Sequence, residues 1–238
     1  MKPLVILPTY NEVANIETLI ERIIKHIKGI DLLVVDGCSD DGTSEIIREI
    51  AKREPRVNLL SEDAKRGLGR AYIAGFNWGL LRDYTEIVTM DADLSHRVRD
   101  LGKLLEVRDF DLVIGSRWIL GGAVENWPLR RELLSRFANR YVEFFLKLRV
   151  ADSTSGLRVY RSELLRDLDL NSIKSEGYTF QIEMVRAARK VGVKIVEVPI
   201  IFRERRFGKS KISRAIVFEA MFRVTAWGLK RIGGGGGI

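Results

Sequence analysis

The chain is poor in residues that several protein classes depend on. Cys38 is the one cysteine among 238 residues, which excludes an intramolecular disulfide and a cysteine-based zinc site. Of the two histidines, His26 lies on the polar side of a helical pattern, and His96 is too isolated for a zinc site or a catalytic triad. The sequence contains no run of about 20 apolar residues and no secretory signal. We therefore expect a cytoplasmic chain without a membrane span.

Positive charge is in excess. Forty Lys and Arg residues against 32 Asp and Glu residues give a net charge of +8, and the excess is concentrated after residue 186. Such a balance favours an anionic partner, and it also fits a solvated basic face or a patch for nucleic acid or anionic lipid. The 46% hydrophobic and 30% charged content is typical of a globular protein and excludes a disordered chain.

Short apolar runs alternate with amphipathic segments over the first half of the chain. Residues 4–7 predict a buried strand, and apolar residues spaced by three and four from Ile16 to Ile27 predict a helix with Asn15 as its N-cap. Thr43 can cap the second helix in the same way. Strands alternating with helices predict an α/β fold, with a mostly parallel sheet and helices on both faces. The remaining predicted strands are 32–35, 57–60, 87–90, 112–114, 157–160 and 193–198, and the remaining predicted helices are 43–51, 69–81, 101–107, 132–148, 180–191 and 214–232.

Polar clusters follow the predicted strands, where parallel sheets bind their ligands. Asp91 and Asp93 follow one strand and are two residues apart, so their carboxylates can point the same way and bind Mg²⁺ or Mn²⁺. The pattern is common by chance, and taken alone it fits a cap of a turn or of the next helix better than a metal site. Asp36 ends another strand and could bind a nucleobase or a ribose, whereas a turn or a helix cap explains the nearby Asp40 and Asp41 as well.

Basic side chains occupy predicted loops and a helix start in the second half of the chain. An arginine fork matches the geometry of a phosphate group and can bind it through two hydrogen bonds. The candidates for phosphate binding are Arg117, Arg130, Arg131, Arg205 and Lys211.

Taken together and in order, the motifs of this chain resemble those of the family 2 glycosyltransferases, and within them the dolichol-phosphate mannose synthases. The matching segments are Pro8-Thr9-Tyr10-Asn11-Glu12, Val35-Asp36 through Asp41-Gly42-Thr43, Gly67-Leu68-Gly69-Arg70-Ala71, Met90-Asp91-Ala92-Asp93-Leu94-Ser95-His96, Gly115-Ser116-Arg117, Gly121-Gly122, Trp127 with Arg131, Ser155-Gly156-Leu157-Arg158, Gly177-Tyr178-Thr179-Phe180-Gln181, Glu197-Val198-Pro199-Ile200, and Arg205-Arg206-Phe207-Gly208-Lys209-Ser210-Lys211.

The resemblance implies a nucleotide-sugar-binding fold of the GT-A type and a role for each matching position. The positions that match the nucleotide-sugar site are Pro8, Tyr10, Glu12, Asp36 and Ala92, and those that match the metal site are Asp91 and Asp93, with Ser95. The resemblance assigns binding of the donor diphosphate or the acceptor phosphate to Arg117, Arg131, Arg205 and Lys211. It implies a catalytic set of Asp91, Asp93, Arg117 and Arg131.

The implied reaction is the Mg²⁺- or Mn²⁺-dependent, inverting transfer of mannose from GDP-mannose to dolichyl or another polyprenyl phosphate. An acceptor phosphomonoester, whose second pKa is about 6, is already ionised at neutral pH. It needs arginines rather than a general base, as the residue pattern suggests. Gly37 replaces an Asp that many relatives carry, so a UDP-glucose or UDP-N-acetylhexosamine donor is the first alternative. A non-catalytic basic module that binds anions or membranes is the second.

The resemblance extends over residues 3–215, which implies one catalytic domain, 1–213. We expect a nucleotide-sugar-binding half, 1–118, and an acceptor half, 119–213. Residues 214–232 are predicted to form an amphipathic helix that lies at a membrane surface or packs on the sheet, and 233–238 a flexible glycine tail. The expected partners are the nucleotide sugar, the polyprenyl phosphate, the cytoplasmic face of a membrane and a membrane-anchoring protein, but no nucleic acid.

Overall fold

A computed structural model describes residues 2–204 and 214–233, with the backbone alone for 214–219 and 231–233. Strands and helices alternate regularly up to residue 116, as the apolar pattern predicts. In chain order the elements are β1 (Pro3–Thr9), α1 (Ile16–His26), β2 (Asp31–Asp36), α2 (Thr43–Arg53), β3 (Val57–Ser61), α3 (Leu68–Leu80), β4 (Glu86–Thr89), α4 (Val98–Glu106), β5 (Leu112–Ser116), β6 (Ala123–Glu125), α5 (Leu129–Leu146), β7 (Arg158–Arg161), α6 (Ser162–Asp167), α7 (Gly177–Lys190), β8 (Ile195–Pro199), β9 (Ile201–Arg203) and α8 (Arg214–Gly233), with a short 3₁₀ turn at Leu170–Ser172.

Within the described residues, seven strands form the central sheet in the order β3-β2-β1-β4-β7-β5-β8. Only β7 runs antiparallel to its two neighbours in this sheet, and β6 and β9 form a separate parallel pair. The register places Thr9 beside Asp36 and Ile6 beside Thr89, so that β1, β2 and β4 end at one edge of the sheet. The predicted α/β fold with a mostly parallel sheet is confirmed.

The sheet has a core on each face, because successive side chains of a strand point to opposite sides. Leu4 and Ile6 of β1 belong to the core beneath α3, α5, α6 and α7. Val5 and Leu7 belong to the opposite core, beneath α1, α2 and α4. Helices therefore cover both faces, which explains why the strands are short, continuously apolar runs.

Of the two predicted helix caps, Asn15 takes the N-cap position without a capping hydrogen bond, and Thr43 is not the N-cap residue. Asn15 precedes α1, but its side chain donates to Glu12 Oε2 at 2.8 Å and caps no helical amide. Gly42 rather than Thr43 precedes α2, while the Thr43 hydroxyl accepts the Glu12 amide at 3.0 Å. In both cases the polar side chain bonds within the loops at the strand ends instead. The short elements β6, α6 and β9 were not predicted, because three to six residues carry too little periodicity.

Helix α8 packs on α5 and α7 rather than on the sheet. The Tyr141 and Thr225 hydroxyls are 2.6 Å apart, and Gly228 lies so close to Phe145 that a Cβ there would meet its ring at 2.9 Å. Phe222 and Leu229 of the same helix are exposed. Within the residues that the structure describes, no helix has both the length and the apolar character needed to cross a bilayer.

The close approach of α3 to the sheet predicts a destabilised Gly75→Ala variant. A Cβ at position 75 would lie 2.7 Å from Ile6 Cδ1 and 2.8 Å from Ile6 Cγ2. Overpacking of this kind costs about 1–3 kcal/mol, and over most of this range the cost is larger than the gain of about 1 kcal/mol from replacing a helical glycine. We expect urea unfolding to show a lower free energy of unfolding.

The matched control is Gly102→Ala in α4. A Cβ there would make an ordinary contact of 3.4 Å with Ile27, so the higher helix propensity of alanine should stabilise the protein. Equal effects of the two substitutions would contradict the packing argument.

Candidate functional site

A cavity of about 430 Å³ opens where β1, β2 and β4 end, within the range typical of ligand pockets. We call it the strand-end cavity. Its lining also includes the loop after β3 and the start of α7. The lining residues are Pro8, Thr9, Tyr10, Glu12, Gly37, Glu62, Lys65, Arg66, Gly67, Leu68, Ala71, Asp91, Ala92, Asp93, Thr154, Gly156, Glu176, Gly177, Tyr178 and Gln181.

Asp91 and Asp93 both face this cavity, and neighbouring groups fix their carboxylates. The Tyr72 hydroxyl lies 3.5 Å from Asp91 Oδ1, and His96 Nε2 lies 3.4 Å from Asp91 Oδ2. Burial raises the pKa of Tyr72 well above its ordinary value, so its hydroxyl keeps its proton. Asp93 Oδ1 accepts the Ser95 amide at 3.1 Å and the Ser95 hydroxyl. These neighbouring groups therefore hold the two carboxylates in place at the cavity wall.

The donor set fits a hard divalent cation that a substrate helps to bind. In the described parts of the chain, no three or more His, Cys, Asp or Glu residues are grouped as a closed metal site. Mg²⁺ commonly binds to one or two carboxylates together with substrate phosphates and water. Gly156 leaves room for such a ligand set, because a Cβ at this position would lie only 3.0 Å from Asp91 Oδ1.

Two predicted site residues lie behind the cavity wall. Asp36 is buried and accepts hydrogen bonds from the hydroxyls of Thr9, Ser39 and Ser44 and from the Ser39 amide, at 2.6–3.0 Å. Burial alone would raise the pKa of Asp36, but these bonds outweigh it and lower the pKa. Asp36 thus stabilises the loops after β1 and β2. Ser95 is also buried, beside Asp93.

The loop after β3 contributes Glu62, Lys65 and Arg66 to the cavity, which the sequence analysis missed. Lys65 Nζ lies 3.7 Å from the centre of the Tyr10 ring, a cation–π contact. The rule that ligands bind at the ends of parallel strands, applied to β3 as to its neighbours, could have identified this loop. His96 was also missed, because only the fold brings its ring against Asp91.

A second, apolar cavity of about 140 Å³ lies between α5 and α8, and we call it the helix groove. Thr154 and Tyr178 line both cavities, so the two spaces share one wall. The lining of the groove is Arg117, Trp127, Arg131, Leu134, Ser135, Phe137, Ala138, Tyr141, Val142, Thr154, Tyr178, Ile182, Ala220, Met221 and Val224.

The two predicted phosphate-binding arginines of this groove are already paired. Arg117 is buried, and its Nε and Nη2 each donate to an Asp152 oxygen at 2.7 Å. Burial would lower the pKa of Arg117 and raise that of Asp152, but the ion pair outweighs burial for both. Arg131 donates to Glu204 at 2.6 Å and stacks on Trp127, with its guanidinium carbon 4.0 Å from the ring centre.

The structure thus divides the predicted site residues into four groups. Pro8, Tyr10, Glu12, Asp91, Ala92 and Asp93 line the strand-end cavity; Arg117 and Arg131 line the helix groove; Asp36 and Ser95 lie behind the cavity wall; and Arg205 and Lys211 lie outside the described residues. Arg130 is exposed at the start of α5.

Comparisons with known proteins identify relatives of the chain. The profile of the family described as "Glycosyl transferase family 2" matches residues 4–169. The chain is 46% identical to the polyprenol monophosphomannose synthase of Mycolicibacterium smegmatis, over 96% of this chain and 88% of that protein. It is also 46% identical to the undecaprenyl-phosphate mannosyltransferase of Micrococcus luteus, over 96% of this chain and 95% of that protein.

Solved structures share the fold. The glucosyl-3-phosphoglycerate synthase of Mycobacterium tuberculosis, in complex with Mn²⁺, UDP-glucose and glycerol 3-phosphate, superposes with a TM-score of 0.62 at 23% identity, over 98% of this chain and 80% of that chain. A mannosyltransferase of Pyrobaculum calidifontis, in complex with GDP-Man and Mn²⁺, gives 0.55 at 19% identity, over 100% of this chain and 76% of that chain. The fold is that of the GT-A glycosyltransferases.

The buried ion pair predicts a pH-dependent loss of stability in an Asp152→Asn variant. Removing one partner of a buried pair leaves the Arg117 charge uncompensated, which costs about 3–5 kcal/mol at pH 7. Because the folded-state pKa of Asp152 lies below its ordinary 3.8, its contribution is present above that value and is lost as the pH falls through the folded-state pKa. Urea unfolding should therefore show wild type and variant converging below about pH 4.

The control is Asp169→Asn, which removes an exposed aspartate side chain. It should leave the free energy of unfolding nearly unchanged at every pH. A constant difference between wild type and Asp152→Asn from pH 7 to pH 3 would contradict the assignment.

Proposed function

Because the chain belongs to glycosyl transferase family 2, we propose that it transfers mannose from GDP-mannose to a polyprenyl phosphate such as dolichyl phosphate, with inversion at the anomeric carbon. The observation that carries this proposal is the pair of adjoining cavities. One contains a carboxylate pair suited to a metal-bound nucleotide sugar, the other is apolar with two arginines, and Thr154 and Tyr178 separate them. Two relatives at 46% identity, named for mannose transfer to polyprenyl lipids, support it. The chain is an enzyme, a glycosyltransferase, and not a non-catalytic binding module.

We assign the donor to the strand-end cavity. Its volume suits a nucleotide sugar, and its wall includes Pro8, Tyr10 and Glu12 close to Asp91 and Asp93. Mg²⁺ or Mn²⁺ bound by these two aspartates would neutralise the charge that develops on the leaving nucleoside diphosphate. The hydroxyls of Tyr72 and Ser95 orient the two carboxylates before the donor binds, and the His96 ring packs beside Asp91.

We assign the acceptor phosphate to the end of the helix groove at Arg117 and Arg131. The Arg117–Asp152 pair fixes one guanidinium beside Thr154, to whose Oγ1 Nη2 also donates at 2.8 Å. Arg131, stacked on Trp127, is more accessible and can bind a phosphate oxygen in exchange for Glu204. Arg205 and Lys211, outside the described residues, belong to the same proposed phosphate site by resemblance.

The acceptor itself supplies the nucleophile. A phosphate monoester is largely ionised at neutral pH and therefore attacks without a general base. His96 agrees with this scheme, since its ring is buried behind Asp91 and against Phe202. The protein contributes orientation of the two substrates and stabilisation of charge.

The isoprenoid tail of the acceptor suits the helix groove and the surface beside it. Within the groove, Leu134 and Phe137 of α5 face Met221 and Val224 of α8. Among the side chains of these two helices that the structure describes, the exposed large apolar ones are Leu129, Leu133, Leu134, Phe137, Phe144, Phe222 and Leu229. Such a surface is typical of peripheral contact with a bilayer. We therefore propose that the enzyme acts at the cytoplasmic face of a membrane, alone or with an anchoring protein.

The proposed division of domain 1–213 into a nucleotide-sugar-binding half, 1–118, and an acceptor half, 119–213, matches the linings of the two cavities only in part. Residues 1–118 supply most of the strand-end cavity, and residues after 118 supply most of the helix groove. Thr154, Gly156, Glu176 and Tyr178 from the second half also line the strand-end cavity. The two halves therefore share the reaction centre.

The deciding experiment is transfer of labelled sugar to a short polyprenyl phosphate. GDP-mannose, UDP-glucose and UDP-N-acetylglucosamine are compared with Mg²⁺, with Mn²⁺ and with a chelator. Mannose transfer that the chelator abolishes supports the proposal. Transfer from a UDP-sugar keeps the mechanism and replaces the donor, whereas no transfer in the presence of membranes refutes the function.

An Asp91→Asn variant should lose metal-dependent transfer. Removing the charge of one of the two carboxylates weakens cation binding and charge stabilisation, and we expect turnover to fall by about a hundredfold or more. The matched control is Asp83→Asn, an exposed aspartate of the loop before β4, which should keep full activity. Unchanged turnover of Asp91→Asn, with an unchanged unfolding midpoint, would refute the metal assignment.

Polar substitutions in the helix groove should act only on long acceptors. In Leu134→Ser and Phe137→Ser we expect the KM for a long-chain polyprenyl phosphate to rise about tenfold, because apolar contact with the tail is lost. The KM for an acceptor with one or two isoprene units should change little. Leu81→Ser, an exposed apolar-to-polar change directly after α3 that lines neither cavity, is the control, and an equal effect there would contradict the groove assignment.

A further inference from the structure

Glu62 differs from the other carboxylates of the strand-end cavity. Those of Glu12, Glu176, Asp91 and Asp93 each have a hydrogen-bond partner. Glu62 makes no side-chain hydrogen bond or ion pair with any residue in the described ranges 2–204 and 214–233. Burial raises its pKa, as expected for a carboxylate partly removed from water without a partner. The group is therefore suited to hydrogen-bond donors of a ligand.

Gly37 leaves the approach to Glu62 open. A Cβ at this position would lie 3.9 Å from Glu62 Oε2, so the carboxylate occupies the space into which a side chain at position 37 would point. The two basic side chains that line the cavity near Glu62 contact other residues instead: Arg66 pairs with Asp63 at 2.6 Å, and Lys65 lies over the Tyr10 ring. Neither neutralises Glu62 by a direct ion pair.

The order of the strands places Glu62 at the far end of the cavity from the metal ligands. Asp91 follows β4, Gly37 follows β2 and Glu62 follows β3, and the sheet order is β3-β2-β1-β4. Three strand spacings correspond to about 14 Å, which is comparable with the length of a nucleoside. A nucleoside diphosphate with its phosphates beside Asp91 and Asp93 would therefore place its base near Gly37 and Glu62.

The chemistry of a carboxylate distinguishes between bases. An ionised carboxylate only accepts hydrogen bonds, and its two oxygens match two parallel donors. Guanine presents such a pair at N1–H and the N2 amino group. Uracil presents a single N–H between two carbonyl oxygens, which would repel the carboxylate, and adenine and cytosine present one amino group beside an acceptor nitrogen.

We infer that Glu62 recognises the guanine base of the donor through N1–H and the N2 amino group, and so determines the specificity for GDP-sugars. The inference rests on the proposed function, because it assigns the base end of the same donor site. It also gives a physical reason for glycine at position 37, since Glu62 supplies a carboxylate there from β3.

Calorimetric binding of GDP, IDP and UDP in the presence of Mn²⁺ tests this directly. IDP lacks the N2 amino group, so wild type should bind GDP about tenfold more tightly than IDP, and UDP still more weakly. Glu62→Gln keeps the shape but adds a donor, and its preference for GDP over IDP should nearly disappear. Wild type that binds IDP as well as GDP, or UDP more tightly than GDP, would overturn the inference without any variant.

Three further variants distinguish recognition from a general effect of charge. Glu45→Gln removes an exposed carboxylate of α2 that lines neither cavity and should retain the preference for GDP. Gly37→Asp in the Glu62→Gln background returns a carboxylate to the same space and should restore much of it. Glu62→Asp, which keeps the charge, replaces Glu62→Gln if the latter fails to fold, and should weaken GDP binding by misplacing the oxygens. A GDP-to-IDP ratio that no Glu62 variant changes would overturn the inference.

Mannose transfer to polyprenyl phosphate is measured on the same samples. Selective GDP binding that depends on Glu62, without any transfer, would refute the proposed acceptor and leave the base assignment standing. Transfer from GDP-mannose, together with an unchanged ratio of GDP to IDP affinity in Glu62→Gln, would refute the base assignment and leave the proposed function standing.

Discussion

The position of loop 151–156 relative to the sheet depends on the buried ion pair between Arg117 and Asp152. Arg117 follows β5, so the pair connects this loop to the end of a central strand. Glu197 of β8 accepts the amides of residues 151 and 152, and Asn139 of α5 accepts the Ser153 amide at 2.8 Å. Three elements, β5, β8 and α5, thus converge on one short loop, which has no regular structure of its own to fix it.

This loop explains how an antiparallel strand contributes to a site built on parallel strands. β7 starts at the end of the loop and runs between β4 and β5, so that Gly156 lies beside the end of β4. Its carbonyl accepts the Thr89 hydroxyl at 2.8 Å, and its missing side chain leaves room for Asp91. Arg158 reinforces the arrangement, since its buried guanidinium donates to the carbonyls of Ser153, Ser155 and Gln181.

Patterns over a few neighbouring residues predicted those features of the structure that depend on neighbouring residues. Apolar periodicity located the first five strands and the helices between them, and the strand-end rule led to Asp91 and Asp93. The sequence could not show that Asp36 is saturated by neighbouring hydroxyls, because those bonds depend on how the loops fold over β2. Asp152 and Glu62 were missed for the same reason. The role of each depends on a residue far away in sequence that the fold brings close. Asp152 pairs with Arg117, and Glu62 lies beside the open position at Gly37.

The common wall at Thr154 and Tyr178 affects when the two substrates lose their translational entropy. Two ligands seated in the two cavities would already be about one side chain apart, without a movement of one half of the domain towards the other. On the proposed function, translational freedom is then lost when each substrate binds rather than in a later closing step. The high effective molarity that such juxtaposition gives would be a property of the resting fold.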